Sequence, residues 1–300
     1  MEETTIPKRS PLKSLAGKKF DELERYALES PTSRRILAAV YHSSLYSLVH
    51  RKIDEFRDAR LVLEVKQEPV PRHIAIIMDG NRRFAQEVGL STEAGHIMGS
   101  QKIEDVLDWC FLLNIQVLTI YAFSTENFKR STQEVQTLMR LFKQELTKAK
   151  KDSRIHQYQI RIRILGRLEA LPPELQETAQ EIMDMTKGYS KYLLNIALAY
   201  GGREEIINAI KLIATDVKDG KLDIPRISQD TVSSYLYTNG IPDPDLILRT
   251  SGEERVSNFL LWQLAYSELY FSDVYWPAFQ KRDFLEAIKT YQTRKRRFGT

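Results

Sequence analysis

Residues 73 to 84 read His-Ile-Ala-Ile-Ile-Met-Asp-Gly-Asn-Arg-Arg-Phe. Ile74 to Met78 form a short, uninterrupted apolar run, the pattern of a strand covered on both faces inside a parallel sheet. The run breaks at the turn tripeptide Asp79-Gly80-Asn81, and Arg82 and Arg83 follow where a helix would begin. A carboxylate at the carboxyl end of a central strand can hold a metal ion, and Gly80 lets the backbone come close to a ligand. Helix-start N–H groups and arginine forks suit phosphate. These are the parts of a diphosphate site. They are also the parts of a plain strand–turn–helix junction with solvated arginines, and the stretch alone leaves both readings open.

A second stretch separates them. Residues 245 to 258 read Asp-Leu-Ile-Leu-Arg-Thr-Ser-Gly-Glu-Glu-Arg-Val-Ser-Asn. Leu246 to Leu248 form another apolar strand that delivers Arg249 at its carboxyl end, and Arg255 and Ser257 follow a Thr-Ser-Gly turn. Two arginines and a hydroxyl on one loop suit a second phosphate group. Two such loops in one chain suggest a reaction between two diphosphates.

At this point the chain resembles the cis-prenyltransferases, the family of undecaprenyl and dehydrodolichyl diphosphate synthases. The matching stretches are His73 to Ala85, Gly95-His96, Tyr121-Ala-Phe-Ser-Thr-Glu-Asn-Phe-Lys-Arg130, Leu194 to Arg203, Asp245 to Asp273, and Arg296-Arg-Phe-Gly299. They run in the family's order across residues 71 to 299. Asn-Arg-Arg-Phe at 81 to 84 is closer to the dolichol-type branch than to the bacterial Asn-Gly-Arg-Trp form.

The resemblance implies an undecaprenyl diphosphate synthase-like fold and a transferase that joins isopentenyl diphosphate to an allylic prenyl diphosphate, farnesyl or geranylgeranyl, making a long-chain Z-polyprenyl diphosphate. Asp79 would be the catalytic, Mg²⁺-handling carboxylate. Gly80, Asn81, Arg82, Arg83, Phe84, His96 and Arg130 would hold the allylic substrate. Arg249, Arg255 and Ser257 would hold isopentenyl diphosphate. Ser124 and Asn127 would stand between the substrates and relay the lost proton, and Glu268 would be a second metal-linked carboxylate. Arg297 and Gly299 would cross a two-fold axis and complete the neighbour's isopentenyl diphosphate site in a homodimer. Two departures from the family pattern stand out: Ser91-Thr92-Glu93 lies where a further arginine is common, which shifts allylic binding toward Arg82, Arg83 and Arg130. Ala278, not Asp, follows Trp276-Pro277.

Other classes fit less well. Glu104-Asp105-Val-Leu-Asp108 mimics the aspartate-rich motif of the all-helical trans-prenyltransferases, but no second motif faces it, and the strand signals are too many. It is expected to be a solvated helix face. A haloacid dehalogenase-type phosphatase would need its nucleophile at the position of Ile77. The remaining alternative is a non-catalytic scaffold subunit of a two-component cis-prenyltransferase. Such subunits lack the catalytic motif block that Asp79 and Arg297-Phe298-Gly299 supply here.

A chain of 300 residues with 42% hydrophobic content can build one large core with an appendage. A net charge of +4, without aromatic–basic interleaving, gives no case for nucleic acid. The single Cys110 lies in an apolar stretch, which excludes an internal disulfide and fits a reducing compartment such as the cytoplasm. The five histidines are scattered, and no run is long enough to span a membrane.

Residues 1 to 16 read as a flexible arm. From Phe20 to about Val65 the pattern is helical, with Leu37, Tyr41, Leu45 and Leu48 on one stripe. That stripe fits packing on the body of the enzyme or peripheral contact with a membrane surface. Pro69 and Pro71 place a boundary near residue 70, separating an extension over 1–70 from a catalytic domain over 71–300. Strands are expected at 73–78, 116–123, 159–165, 192–199, 245–249 and 268–273. Helices are expected at about 95–113, 131–150, 173–187, 203–219 and 228–238, with a last one capped by Asp283. Ser131 and Glu134 form a capping-box pattern, and Pro172-Pro173 opens a helix. Such alternation makes an α/β fold with a mostly parallel central sheet flanked by helices, plus the N-terminal helical extension. Ligands then belong at the carboxyl ends of the strands. Tyr121, Phe123 and Phe128 are expected in the core, and Glu126 in solvent.

Overall fold

The structure is a computed structural model that describes residues 56–295. Arg297, Gly299, the arm and most of the helical extension lie outside the described residues.

Apolar runs become strands where expected. They are β1 (His73–Ile77), β2 (Val117–Ser124), β3 (Ile160–Leu165), β4 (Tyr192–Tyr200), β5 (Leu246–Arg249) and β6 (Glu268–Phe271). They form one sheet in the order β3-β4-β2-β1-β5-β6, with every pairing parallel. Strand β1 is therefore central, with β2 on one side and β5 on the other. Its register sets Ile77 beside both Tyr121 and Arg249. That places the residues that follow β1, the end of β2 and the end of β5 at one edge.

Alternate side chains of β1 serve two cores, as a two-residue period requires. Ile74 and Ile76 join the larger core, and Ala75 and Ile77 the smaller. The larger core is filled from α2 (Thr92–Leu113), α3 (Thr132–Lys151), α5 (Pro173–Thr186) and α8 (Lys281–Lys295), which supply Val106, Leu138, Ile182 and Phe284 among others. Among the described residues, besides a helix over 56–66, the remaining helices are α1 (Asn81–Glu87), α4 (Ser153–Gln157), α6 (Gly202–Lys218) and α7 (Gln229–Tyr235). Cys110 is buried in the larger core, where desolvation pushes its thiol pKa upward.

The compact unit that holds the sheet begins at Leu61, ahead of the boundary expected near residue 70. Val62 and Val65 are buried in the main core, and Gln292 Nε2 on α8 donates to the carbonyls of Val65, Glu68 and Pro69. Pro69 and Pro71 lie in the irregular stretch between the helix that ends at residue 66 and β1. Asp283 is not the cap of α8 but lies in its first turn, where its carboxylate accepts from the Gln280 N–H. Phe128 is 38% exposed and lies edge-on to buried Phe123. Helix α2 also starts earlier than expected, because Ser91 caps it by accepting from the Ala94 N–H.

Candidate active site

Asp79 sits just past β1, and its backbone is pinned from three sides. Its N–H donates to Thr250 Oγ1 at 3.0 Å, its carbonyl accepts from the same hydroxyl at 2.6 Å, and the Trp276 N–H reaches that carbonyl at 3.0 Å. Gly80 makes the turn at φ 104. A Cβ there would come within 2.7 Å of the Tyr275 ring, so glycine is needed for both conformation and space. Helix α1 then starts with no side-chain cap.

The Asp79 carboxylate accepts from the Gly80 N–H at 2.7 Å and lies 2.8 Å from Arg249 and 3.2 Å from Arg83. Partial burial pushes its pKa up, but the two guanidiniums outweigh this and hold it below the usual aspartate value. Arg249 is buried. It also donates to Ser257 Oγ at 2.8 Å and to the Arg255 carbonyl, while its Nε finds no protein partner. Asn81 Oδ1 is likewise buried and unpaired. Unpaired buried polar atoms are costly, and Asn81 Oδ1 is packed so close to Gly99 that a Cβ there would come within 2.2 Å of it.

Two carboxylates that the sequence reading passed over organise the arginines. Glu134 had been assigned to a capping box, and Ser131 does accept from its N–H at 3.3 Å. Its side chain, however, turns to Arg130 at 2.9 Å and to Arg82 and His96 at 3.4 Å each. Glu253 lies 3.2 Å from Arg83 and 2.6 Å from Arg255. The signal for Glu134 was present in its position four residues after Arg130, a helical pairing distance. Nothing local marked Glu253. Burial, reinforced by Arg130 and Arg82 and opposed by Glu134, lowers the His96 pKa and leaves the ring neutral near pH 7. A carboxylate only accepts, so Nε2 carries the proton and Nδ1 is left as an acceptor.

Ser124 and Asn127 cap each other at the end of β2, where the Ser124 N–H donates to Asn127 Oδ1 at 3.0 Å. Glu126 is not simply solvated: it accepts from Asn258 Nδ2 at 2.9 Å. Apart from Glu134, these side chains line one cavity of about 900 Å³. Its mouth holds Asp79, Asn81, Arg83, Arg130, Arg249 and Ser257. Away from those groups the lining is mostly apolar, with Ile103, Ile120, Leu138, Phe142, Leu146 and Leu198 between the sheet and helices α2 and α3, and Ser100 and Glu145 among them.

The structure does not gather every expected residue. Phe84, one residue beyond the cavity-lining Arg83, is half-buried and does not line the cavity, because each helical residue turns about 100° from the last. Glu268 opens β6 and is paired with Leu246 at the amino edge of the sheet, opposite Asp79. There it forms an ion pair with Arg294 at 3.2 Å. Glu104 of the decoy motif bridges to Lys148 on α3 and Arg154 on α4, tying α2 to both. Among the described residues, no group of three or more His, Cys, Asp or Glu side chains could enclose a metal.

A ligand matched to both ends of this cavity is anionic at its head and oily along its length, which defines the class as an enzyme of lipid diphosphates. The comparisons with known proteins agree. A family model described as putative undecaprenyl diphosphate synthase matches residues 77–299. The chain is 55% identical over 239 residues to a tritrans,polycis-undecaprenyl-diphosphate synthase (geranylgeranyl-diphosphate specific) of Thermoplasma acidophilum, covering 80% of this chain and 93% of the relative. It is 49% identical over 257 residues to the enzyme of the same description from Pyrococcus furiosus, covering 86% and 97%. Among solved structures, it is similar to lavandulyl diphosphate synthase from Lavandula x intermedia in complex with dimethylallyl diphosphate, at TM-score 0.72 and 36% identity. That match covers 74% of this chain and 95% of that one. The chain belongs to the undecaprenyl diphosphate synthase family of cis-prenyltransferases. It is a transferase that condenses isopentenyl diphosphate with an allylic prenyl diphosphate.

Proposed function

We propose that this protein extends geranylgeranyl diphosphate with isopentenyl diphosphate into a long-chain Z-polyprenyl diphosphate. The observation that carries the reading is the Asp79 carboxylate, held between Arg249 and Arg83 in a cavity whose wall between the sheet and helices α2 and α3 is mostly apolar. The choice of starter rests on the geranylgeranyl specificity in the names of the relatives.

In this reading, Asn81, Arg82, Arg83, His96 and Arg130 bind the allylic diphosphate, and Arg249, Arg255 and Ser257 bind isopentenyl diphosphate. The arginines stabilise charge as the allylic C–O bond breaks and diphosphate leaves. The chain lies along the apolar wall, which keeps water from the reacting carbons. Ser124 and Asn127 stand beside both substrates and move the proton lost from C2 of isopentenyl diphosphate.

The donor set suits Mg²⁺, which is commonly bound through one or two carboxylates plus substrate phosphates. Asp79 would hold it, and the ion would add charge neutralisation at the departing diphosphate. Glu268 lies too far around the sheet to join Asp79 in its own chain. It sits instead beside Arg294 on α8, just before the tail that bears Arg297 and Gly299. A two-fold dimer in which that tail completes the neighbour's site would carry Glu268 on the same surface. A scaffold-only subunit would have no use for the arginine-bound Asp79.

The test is the purified chain alone, given geranylgeranyl diphosphate, labelled isopentenyl diphosphate and Mg²⁺. Long labelled products that vanish with a chelator are expected. Inactivity until a second protein is added would establish the scaffold reading instead.

A further inference from the structure

Ser251, in the turn that follows β5, holds a left-handed backbone at φ 79, a conformation that suits glycine and strains an L side chain. The residue is 7% exposed, and its N–H donates to the Val274 carbonyl at 2.9 Å. Its Cβ lies 3.0 Å from where a Cβ on Gly80 would stand, so the two turns are in close contact. A glycine would take this backbone with less strain, and a strained residue that persists points to a use for its side chain. The hydroxyl has one. Arg83 Nη2 donates to Ser251 Oγ at 2.8 Å. That contact is shorter than those of the same guanidinium with Asp79 and Glu253, at 3.2 Å each, or with the Ser251 carbonyl, at 3.5 Å.

We propose that Ser251 is a positioning residue that aims Arg83 at the allylic diphosphate. The proposal rests on the assignment of Arg83 to that substrate. Arg83 reaches out from α1 on a long, partly exposed side chain, and an arginine that is not held beforehand loses rotamer freedom when it binds. A carboxylate can hold it, but only by cancelling charge that a phosphate needs. A hydroxyl accepts one N–H and brings no net charge. Asp79 and Glu253 thus balance the charge of Arg83, while Ser251 fixes its direction. Ser251 does not line the cavity, so it acts on the substrate through Arg83.

Geranylgeranyl diphosphate is not extended without isopentenyl diphosphate, so its binding to the purified chain with Mg²⁺ can be measured by calorimetry. Ser251→Ala should weaken that binding about fivefold and Arg83→Ala about thirtyfold, while Ser251→Ala changes binding of isopentenyl diphosphate alone by less than about twofold. In the double variant, Ser251→Ala should add nothing to the Arg83→Ala loss, because the hydroxyl has no other route to the substrate. Ser251→Gly removes the hydroxyl and the strain together. It should bind as weakly as Ser251→Ala while melting at a higher temperature, and it carries the test if the alanine variant fails to fold. Affinity that instead follows melting temperature across these variants would make the serine merely structural and overturn the proposal. If Arg83→Ala weakens binding while both Ser251 variants bind like wild type, or the two losses multiply in full in the double variant, the proposal is overturned and the assignment of Arg83 stands. If Arg83→Ala leaves the binding unchanged, that assignment falls and the proposal with it.

Discussion

His73 opens β1 and Asp79 follows its last residue, so one strand carries an ionisable group at each edge of the sheet. At the amino edge everything about His73 is settled. Nδ1 donates to the Pro242 carbonyl, Nε2 accepts from Thr119 Oγ1, its N–H donates to Asp245, and its carbonyl accepts from the Asp245 N–H. At the carboxyl edge the polar groups are crowded, yet Asn81 Oδ1 and Arg249 Nε stay unpaired beside a cavity. The histidine's own polar atoms are all spent inside the fold, whereas the arginines and hydroxyls beyond Asp79 line an open cavity.

The largest test of that contrast is Asp79→Ala. Turnover should fall by about 10²- to 10³-fold, or roughly 3–4 kcal/mol of transition-state stabilisation, with the melting temperature nearly unchanged. Chains truncated before Arg297 should be equally inactive. Mixed with Asp79→Ala chains under subunit exchange, they should recover roughly a quarter of wild-type activity, since about half the dimers would hold one complete site. Exchange without recovery would show that the tail works within its own subunit.

His73 should affect stability instead. Burial holds its pKa near about 4, against 6.5 when exposed. As pH falls through 6.5 the unfolded chain takes up a proton that the folded chain refuses. Stability from this residue is therefore complete above pH 6.5, declines between about 6.5 and 4, and levels off below. The full loss is about 3 kcal/mol. Denaturant titrations at pH 7 and pH 5 should show a clearly smaller difference for His73→Gln than for wild type. Equal slopes would mean that the histidine is charged in the fold.

Arg255→Ala should raise the KM for isopentenyl diphosphate, and Arg83→Ala that for the allylic substrate, each by about 2 kcal/mol. Matching effects of both variants on both substrates would erase the two-subsite map.

The smallest effect should come from Glu268→Gln. Its ion pair with Arg294 is partly exposed, so stability should change by less than about 1 kcal/mol. A fall in activity of about tenfold, roughly 1.4 kcal/mol, would then place this amino-edge residue in a neighbour's site. No change in rate would leave the amino edge purely structural.

Much of this was legible before any coordinates. Continuous apolar runs such as Ile74 to Met78 mark strands buried on both faces, and short-range patterns such as Pro172-Pro173 mark helix starts. Asp79, Ser124 and Arg249 follow from strand ends once the sheet is parallel. What stayed hidden is pairing between distant segments. Glu134 joins Arg82 across 52 positions, and Glu253 joins Arg83 across 170. No periodicity encodes either contact. Phe84 and Glu268 lie away from the Asp79 cavity of their own chain for a related reason: a motif gives residue types in order, but helix rotation and strand direction decide where they point.

Glu253 has a consequence of its own. Its two oxygens are divided between Arg83, assigned to one substrate, and Arg255, assigned to the other. A phosphate that draws Arg83 away leaves the whole carboxylate to Arg255, tightening its grip on a cation that the second phosphate also needs. The two substrates therefore compete through a shared counter-ion without touching, and by thermodynamic reciprocity each weakens the other equally. In the proposed two-subsite map, Glu253 therefore couples the two subsites through charge alone. Titrating a non-reactive allylic analogue with and without inorganic diphosphate would show the antagonism in the native chain and its disappearance in Glu253→Gln.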